Sequence, residues 1–282
     1  MDELAAAGLR HWFRGAGVTL CIGAGLLLRA AVAGAQLSEP DTTPAVRPQL
    51  PTVEPRRLAR QVTGPQQIVA MRYPQAQEGR DTFSAAVPEL VEFLAKEVPL
   101  PGLRYVAGQS FFSDPGYEDA LLLYLSGDRA ELDLVPQHKT RLRHYLVEGG
   151  LLYAEDVRAL PLVWRSDVAS TGTPFDRQFK ALMVEVLGAD GRDWQVVAKD
   201  HPLYSAYFTF PDGPPLTSVA RRRALQRIQE LEMLETRGRV SVVFSELNIG
   251  SAWANPTAEG RRRALQFGAN VVVFAMAQYA AT

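Results

Sequence analysis

Ala120-Leu121-Leu122-Leu123-Tyr124-Leu125 is apolar at every position and is closed by Ser126-Gly127. A short aliphatic run without polar alternation predicts a strand buried on both faces, the pattern of a parallel sheet covered by helices. Val135 to Glu148 follows as a helix, with Pro136 in its first turn and Gly149-Gly150 as its stop. Leu151-Leu152-Tyr153-Ala154 then repeats the buried-strand signal. Upstream, Ile68-Val69-Ala70-Met71-Arg72-Tyr73 reads as a first strand ending at Pro74. Phe83, Val87, Leu90, Val91, Leu94 and Val98 fall at helical spacing, and Leu103-Arg104-Tyr105-Val106 reads as a second strand. Downstream, Phe175 to Leu187 is a helix stopped by Gly188, and Trp194 to Ala198 a further strand. Arg221 to Glu235 is helical at first, with Leu231 to Glu235 leading into a hairpin. Val240-Ser241-Val242-Val243-Phe244 is a strand, and Thr257 to Ala280 a closing helix. Strands alternating with helices predict a single α/β domain over residues 67–282. It is a three-layer, mostly parallel open sheet of five or six strands, with Leu121, Leu123, Leu125, Leu152 and Val242 inside.

The chain before this domain has a different composition. Arg10, His11 and Arg14 precede Gly15 to Leu28, which is mostly apolar, and Ala31-Val32-Ala33-Gly34-Ala35 offers two A-x-A patterns. That order is the order of a secretory signal peptide, with the better cleavage position after Ala35. The alternative is an uncleaved inner-membrane anchor over residues 15–35, long enough to span but interrupted by Arg29. The expected location is therefore periplasmic or secreted, or tethered to the membrane through this segment alone. Cys21 is preceded by Leu20 rather than a small residue and does not read as a lipoprotein site. Residues 36–66 carry Pro40, Pro44, Pro48, Pro51, Pro55 and Pro65 with no steady period, and read as an extended or disordered linker.

Charge and cysteine content exclude several classes. The 282 residues carry a net charge of −1, and losing residues 1–35 (Arg10, Arg14 and Arg29 against Asp2 and Glu3) moves it to about −2. No basic field points to nucleic acid. The triplets Arg221-Arg222-Arg223 and Arg261-Arg262-Arg263 read as helix surface rather than phosphate contacts. Cys21 is the only cysteine, so residues 36–282 form no disulfide, thiolate site or cysteine nucleophile.

In open α/β sheets ligands bind beyond the carboxyl ends of the strands. The residues expected there are Arg72 and Tyr73, Asp128, Glu155 and Asp156, and Asn248 with Trp253 nearby. Asp128 and Asp156, on neighbouring strands about 4.8 Å apart, are the candidates for a hard cation or a split acid and base pair. Glu155 and Asp156 point to opposite faces. The alternative is that these acids cap loops and helix starts, or pair with Arg72 or Arg158. His201 lies in a loop before Pro202, and His138 and His144 are not on one helical face. Ser126 lacks the flanking glycines of a nucleophile elbow, and no glycine-rich phosphate loop opens a helix. Tyr204, Tyr207, Phe208 and Phe210 read as packing under a loop, with a groove for sugar or peptide as the alternative.

The order of several short segments resembles the bacterial domain of unknown function family 4159. They are Leu123-Tyr124-Leu125-Ser126-Gly127, Leu142 to Asp156, His201-Pro202-Leu203-Tyr204, Gly238-Arg239-Val240, Asn248 to Trp253, and Ala264 to Asn270. The resemblance implies a flavodoxin-like sheet related to the class I glutamine amidotransferase fold, and no established activity. Relatives often carry His where this chain has Asp128, and Asp-Asp where it has Glu155-Asp156. The amidotransferase fold uses an elbow cysteine, and residues 36–282 contain none. The expectation is a non-enzymatic binding or assembly module of the cell envelope, without a cofactor. Its expected partners are envelope proteins or a small ligand. The alternative is a carboxylate- or metal-dependent hydrolase using Asp128, Asp156 and His201.

Overall fold

The computed structural model describes residues 64–72, 85–100, 103–127, 132–157, 174–191, 193–215 and 230–280. The run at 120–125 supplies β3 (Leu122–Gly127), an interior strand of a seven-stranded sheet. The others are β1 (Gly64–Arg72), β2 (Leu103–Phe111), β4 (Leu151–Asp156), β5 (Gln195–Val196), β6 (Glu232–Thr236) and β7 (Arg239–Ser245), in the order β2-β1-β3-β4-β7-β6-β5. β2, β1, β3, β4 and β7 run parallel, while β6 is antiparallel to both β7 and β5. The helices are α1 (Ala86–Glu97), α2 (Pro136–Val147), α3 (Pro174–Leu187), α4 (Ile249–Ala254) and α5 (Arg261–Ala280).

Two apolar layers follow from the period of two along each strand. Ile68, Ala70, Leu122, Tyr124, Leu151, Tyr153 and Val243 face α1, α4 and α5. Val69, Met71, Leu123, Leu125, Leu152, Ala154, Val242 and Phe244 face α2 and α3. All five residues expected inside are buried.

The sheet has seven strands rather than the five or six expected because residues 232–236, read as leading into a hairpin, pair as a strand of their own. β2 continues beyond Val106 through Ala107-Gly108-Gln109-Ser110, held by an unbroken nine-residue register to β1. β6 and β7 form a two-residue hairpin through Arg237 and Gly238, with φ of 51° and 78°. Positive φ at both positions is the primed turn that suits strand twist. The register then shifts between Leu234 and Glu235. Ser241 in this stretch donates to the Leu146 carbonyl at 3.2 Å.

The closing helix begins at Arg261, later than the expected Thr257, and is buried almost all round from Ala264 to Met276. Its outer side is covered by residues 201–210. Asn270 fixes that cover: its Oδ1 accepts from the Tyr207 and Phe208 amides at 3.2 and 2.7 Å, and its Nδ2 donates to the Leu203 and Phe208 carbonyls at 3.0 and 2.7 Å. Tyr204 and Phe210 pack on Phe267, so the aromatic cluster is a lid for α5. We predict that Asn270→Ala costs about 2–3 kcal/mol, because it leaves several buried backbone groups unpaired. A urea titration measures this, and a loss below about 0.5 kcal/mol, the level of a surface change, contradicts it.

The basic triplet at the start of α5 is also absorbed by structure. Arg261 pairs with Glu89 at 2.5 Å and Arg262 with Glu97 at 3.0 Å. Arg263 lies 3.7 Å over the Phe210 ring and donates to the Thr209 carbonyl. Residues 1–63 and Arg221 to Arg223 lie outside the described residues.

Candidate functional site

The pairing of the parallel strands differs from place to place at their carboxyl ends. β1 and β3 are paired only from Ile68↔Leu122 to Ala70↔Tyr124. Beyond that point β1 stays paired with β2 as far as Arg72↔Phe111, and β3 with β4 as far as Gly127↔Asp156. Past Ala70 and Tyr124, β1 and β3 are therefore no longer paired with each other, and Met71 and Leu125 just beyond are buried. The chain order reverses at the same place: β1 leads outward to β2, while β3 leads the other way to β4. Such a switch point is where open α/β sheets hold their ligands. On the face covered by α1, the strand ends present Phe111, Arg72, Ser126, Glu155 and Ser245, one from each strand.

Glu155 stands in that row, fully buried and fully engaged. Its Oε1 accepts from the Tyr153 hydroxyl at 2.9 Å and the Ile249 amide at 2.8 Å. Its Oε2 accepts from the Tyr124 hydroxyl at 2.9 Å and the Gly250 amide at 2.6 Å. Burial pushes the carboxyl above the ordinary carboxylate range, and the four donors oppose that shift. Burial also raises the Tyr153 hydroxyl well above its usual value, with the Glu155 charge adding to the rise, which keeps it a donor. Trp253 covers the pair: its ring lies 5.4 Å from Tyr124 and 5.7 Å from Tyr153, and its Nε1 donates to the Ala264 carbonyl. The arrangement ties β3 and β4 to the start of α4. Both carboxylate oxygens are thus doubly occupied by donors of the protein itself.

The turn into α4 is shaped for this contact. Asn248 adopts left-handed backbone, φ 53°, and aims the next two amides at Glu155. A Cβ on Gly250 would lie 2.0 Å from the Tyr124 hydroxyl and 2.4 Å from Glu155 Oε2. Glycine to alanine inside a helix ordinarily stabilises by about 1 kcal/mol. We predict the opposite sign for Gly250→Ala, a loss of about 2 kcal/mol, because two buried hydrogen bonds must lengthen. Thermal unfolding checks the sign.

The structure distributes the residues singled out from the sequence. Arg72 is half-buried at the end of β1. Asp156 is fully buried and follows Glu155 on the opposite face, that of α2 and α3. Asn248 and Trp253 are buried and serve the Glu155 contact. His201 is placed away from it: its Nδ1 accepts from the Leu203 amide at 3.2 Å and its ring packs on Phe274 of α5. Tyr73, Asp128 and Arg158 lie outside the described residues. Among the described residues, no group of three or more His, Cys, Asp or Glu side chains is placed to hold a metal ion. No helix among them is long and apolar enough to cross a membrane.

Sequence reasoning missed Tyr124 and Tyr153 as partners of Glu155, and Phe111, Ser126 and Ser245 as its companions in the row at the strand ends. The period of two puts Tyr153 beside Glu155, so that pair was available. A glycine just inside a short helix is a second signal, since it marks close approach.

The model of the family described as Domain of unknown function (DUF4159) matches residues 67–276, and the chain belongs to that family. No curated protein matches it.

Proposed function

We propose that this member of the DUF4159 family is an exported binding module of the cell envelope, with a small-ligand site where β1 and β3 part. One observation carries the location: β1 and β3 part at Ala70 and Tyr124 while each stays paired with its outer neighbour. The parting falls at the topological switch point of the sheet, where open α/β sheets hold ligands. The commitment of Glu155 to four donors supports binding over acid–base chemistry at that carboxylate. Export rests on the order of charge, apolar run and A-x-A patterns in residues 10–35, and the Pro-rich linker supplies a tether.

The test is a thermal-shift screen of the full chain against nucleotides, cell-wall sugars and short peptides, run beside Ser126→Trp, which crowds that place. A ligand at 100 times its Kd adds about 2.7 kcal/mol, a rise of a few degrees, which Ser126→Trp abolishes. A shift that survives in the variant contradicts this location.

A second reading is metal-dependent hydrolysis through Asp128 and Asp156. It draws on the fully buried carboxylate of Asp156, in register with Gly127, the residue before Asp128. A stabilisation by Mn2+ or Mg2+ that is lost in Asp156→Asn favours it over simple binding.

A further inference from the structure

We infer that two copies of this chain pair edge to edge through β2, antiparallel about a dyad at Ala107, so that their two sheets become one.

β2 ends the sheet, with β1 on its inner side and no strand beyond it among the described residues. In a parallel ladder alternate residues turn both N–H and C=O to the same side. At the end of β2 the Phe111 amide donates to Asp114 Oδ2 at 2.8 Å and the Phe111 carbonyl accepts from the Asp114 amide at 3.0 Å. Phe111 therefore faces outward, and the period of two turns Leu103, Tyr105, Ala107 and Gln109 outward with it. The start of the strand agrees, since the Leu103 amide donates to the Leu100 carbonyl at 3.1 Å. Between these closed ends, the N–H and C=O groups of Tyr105, Ala107 and Gln109 are bonded to nothing among the described residues. Protein edges are ordinarily blunted by proline, a central charge, a bulge or short length. β2 has nine residues in unbroken register with β1, and neither proline nor charge from Tyr105 to Phe111. An edge left in that state is a template for another strand.

The free groups are symmetric about Ala107, so the strand that answers all of them is an antiparallel copy of β2. Ala107 then faces Ala107, and Tyr105 faces Gln109 of the second copy. The side chains fit the same register. On the α1 face, Phe111, 37% exposed, comes opposite Leu103 of the second copy, and the small Ala107 sits at the dyad. On the other face Val106 meets Gly108, and Arg104 meets Ser110. Charge selects the same direction. Arg104 at one end of the edge is exposed, Asp114 stands at the other end, and neither makes an ion pair among the described residues. Antiparallel pairing brings the Arg104 end of each copy to the Asp114 end of the other, whereas parallel pairing sets like on like. The contact is isologous and closes at two copies.

Sedimentation velocity of the full chain across micromolar concentrations, with amide hydrogen exchange at the low and high ends, tests the pairing. The chain is expected to dimerise reversibly, and the amides of Tyr105, Ala107 and Gln109 to gain protection as it does. Ala107→Glu sets two carboxylates against each other at the dyad and weakens the dimer at least about tenfold. Ala107 is exposed, so the melting temperature of the monomer is unchanged. Asp114→Asn keeps an acceptor for the Phe111 amide without the charge, and weakens the dimer about threefold at low salt. If Ala107→Glu fails to fold, Ala107→Pro carries the same test, because it removes a donor that only the second copy uses. A chain that stays monomeric at high concentration, with the three amides exchanging freely, overturns the inference and leaves the edge to a strand of another protein. A dimer whose three amides stay unprotected, or that Ala107→Glu does not weaken, overturns it too and moves the contact to another surface.

Discussion

Glu155→Ala lowers the unfolding free energy by about 4 kcal/mol, the range seen when one partner of a buried, hydrogen-bonded charge is removed. The variant leaves the Ile249 and Gly250 amides and the Tyr124 hydroxyl facing an empty space in the middle of the domain. Glu155→Gln is also destabilising, by about 2 kcal/mol, because one amide oxygen cannot serve donors that converge on two sites. Urea titration of each variant measures both losses. Acidity separates the charge from the contacts. Burial raises the folded carboxyl above its unfolded value. Its contribution to stability is therefore full below the unfolded value and declines as pH rises through the folded one. Wild type shows this decline and Glu155→Gln does not, so the difference between them is largest on the acid side. A wild-type profile rising with pH across that window relative to Glu155→Gln contradicts the assignment.

Trp253→Ala has an effect of similar size, about 4 kcal/mol, as expected for deleting a fully buried indole. The loss has two parts. The cavity opens against Tyr124, Tyr153 and Gly268, since a Cβ on Gly268 would already lie within 2.9 Å of the indole. The hydrogen bond from Nε1 to the Ala264 carbonyl, which fastens α4 to α5, is lost as well. The two substitutions share the tyrosines and are not independent. The double variant is expected to lose less than the sum by at least about 1 kcal/mol, the scale of coupling between touching residues. Strict additivity in the cycle would show that the indole does not position the hydroxyls that hold Glu155.

Legibility in the sequence followed burial. β3, β4 and β7 are runs of aliphatic residues that only a covered parallel strand accommodates, and they were readable to within about two residues at either end. The outer half of β2 was not, because Ala107-Gly108-Gln109-Ser110 is held by a neighbour's register rather than by its own apolarity. α4 was missed for a related reason. It is six residues long and is fixed by a glutamate 94 residues away in sequence, a contact no local pattern announces. The opposed faces of Glu155 and Asp156 were readable from the pleat alone. The closure of Glu155 by four donors was not, since two of them come from the backbone of another element. The point at which β1 and β3 part was the least legible feature. A strand's tendency to form is written in its side chains, but where two parallel strands stop pairing depends on how each is drawn to its other neighbour.

On the proposed reading a ligand enters where β1 and β3 part, and Glu155 is a structural tie. Hydrogen exchange of the full chain, read with and without the nucleotide, sugar or peptide that raises the melting temperature, tests it most directly. The account predicts protection gained at residues 69–72 and 124–127, with the already protected Ile249 and Gly250 amides unchanged. Protection gained at residues 245–254 with none where β1 and β3 part would contradict it.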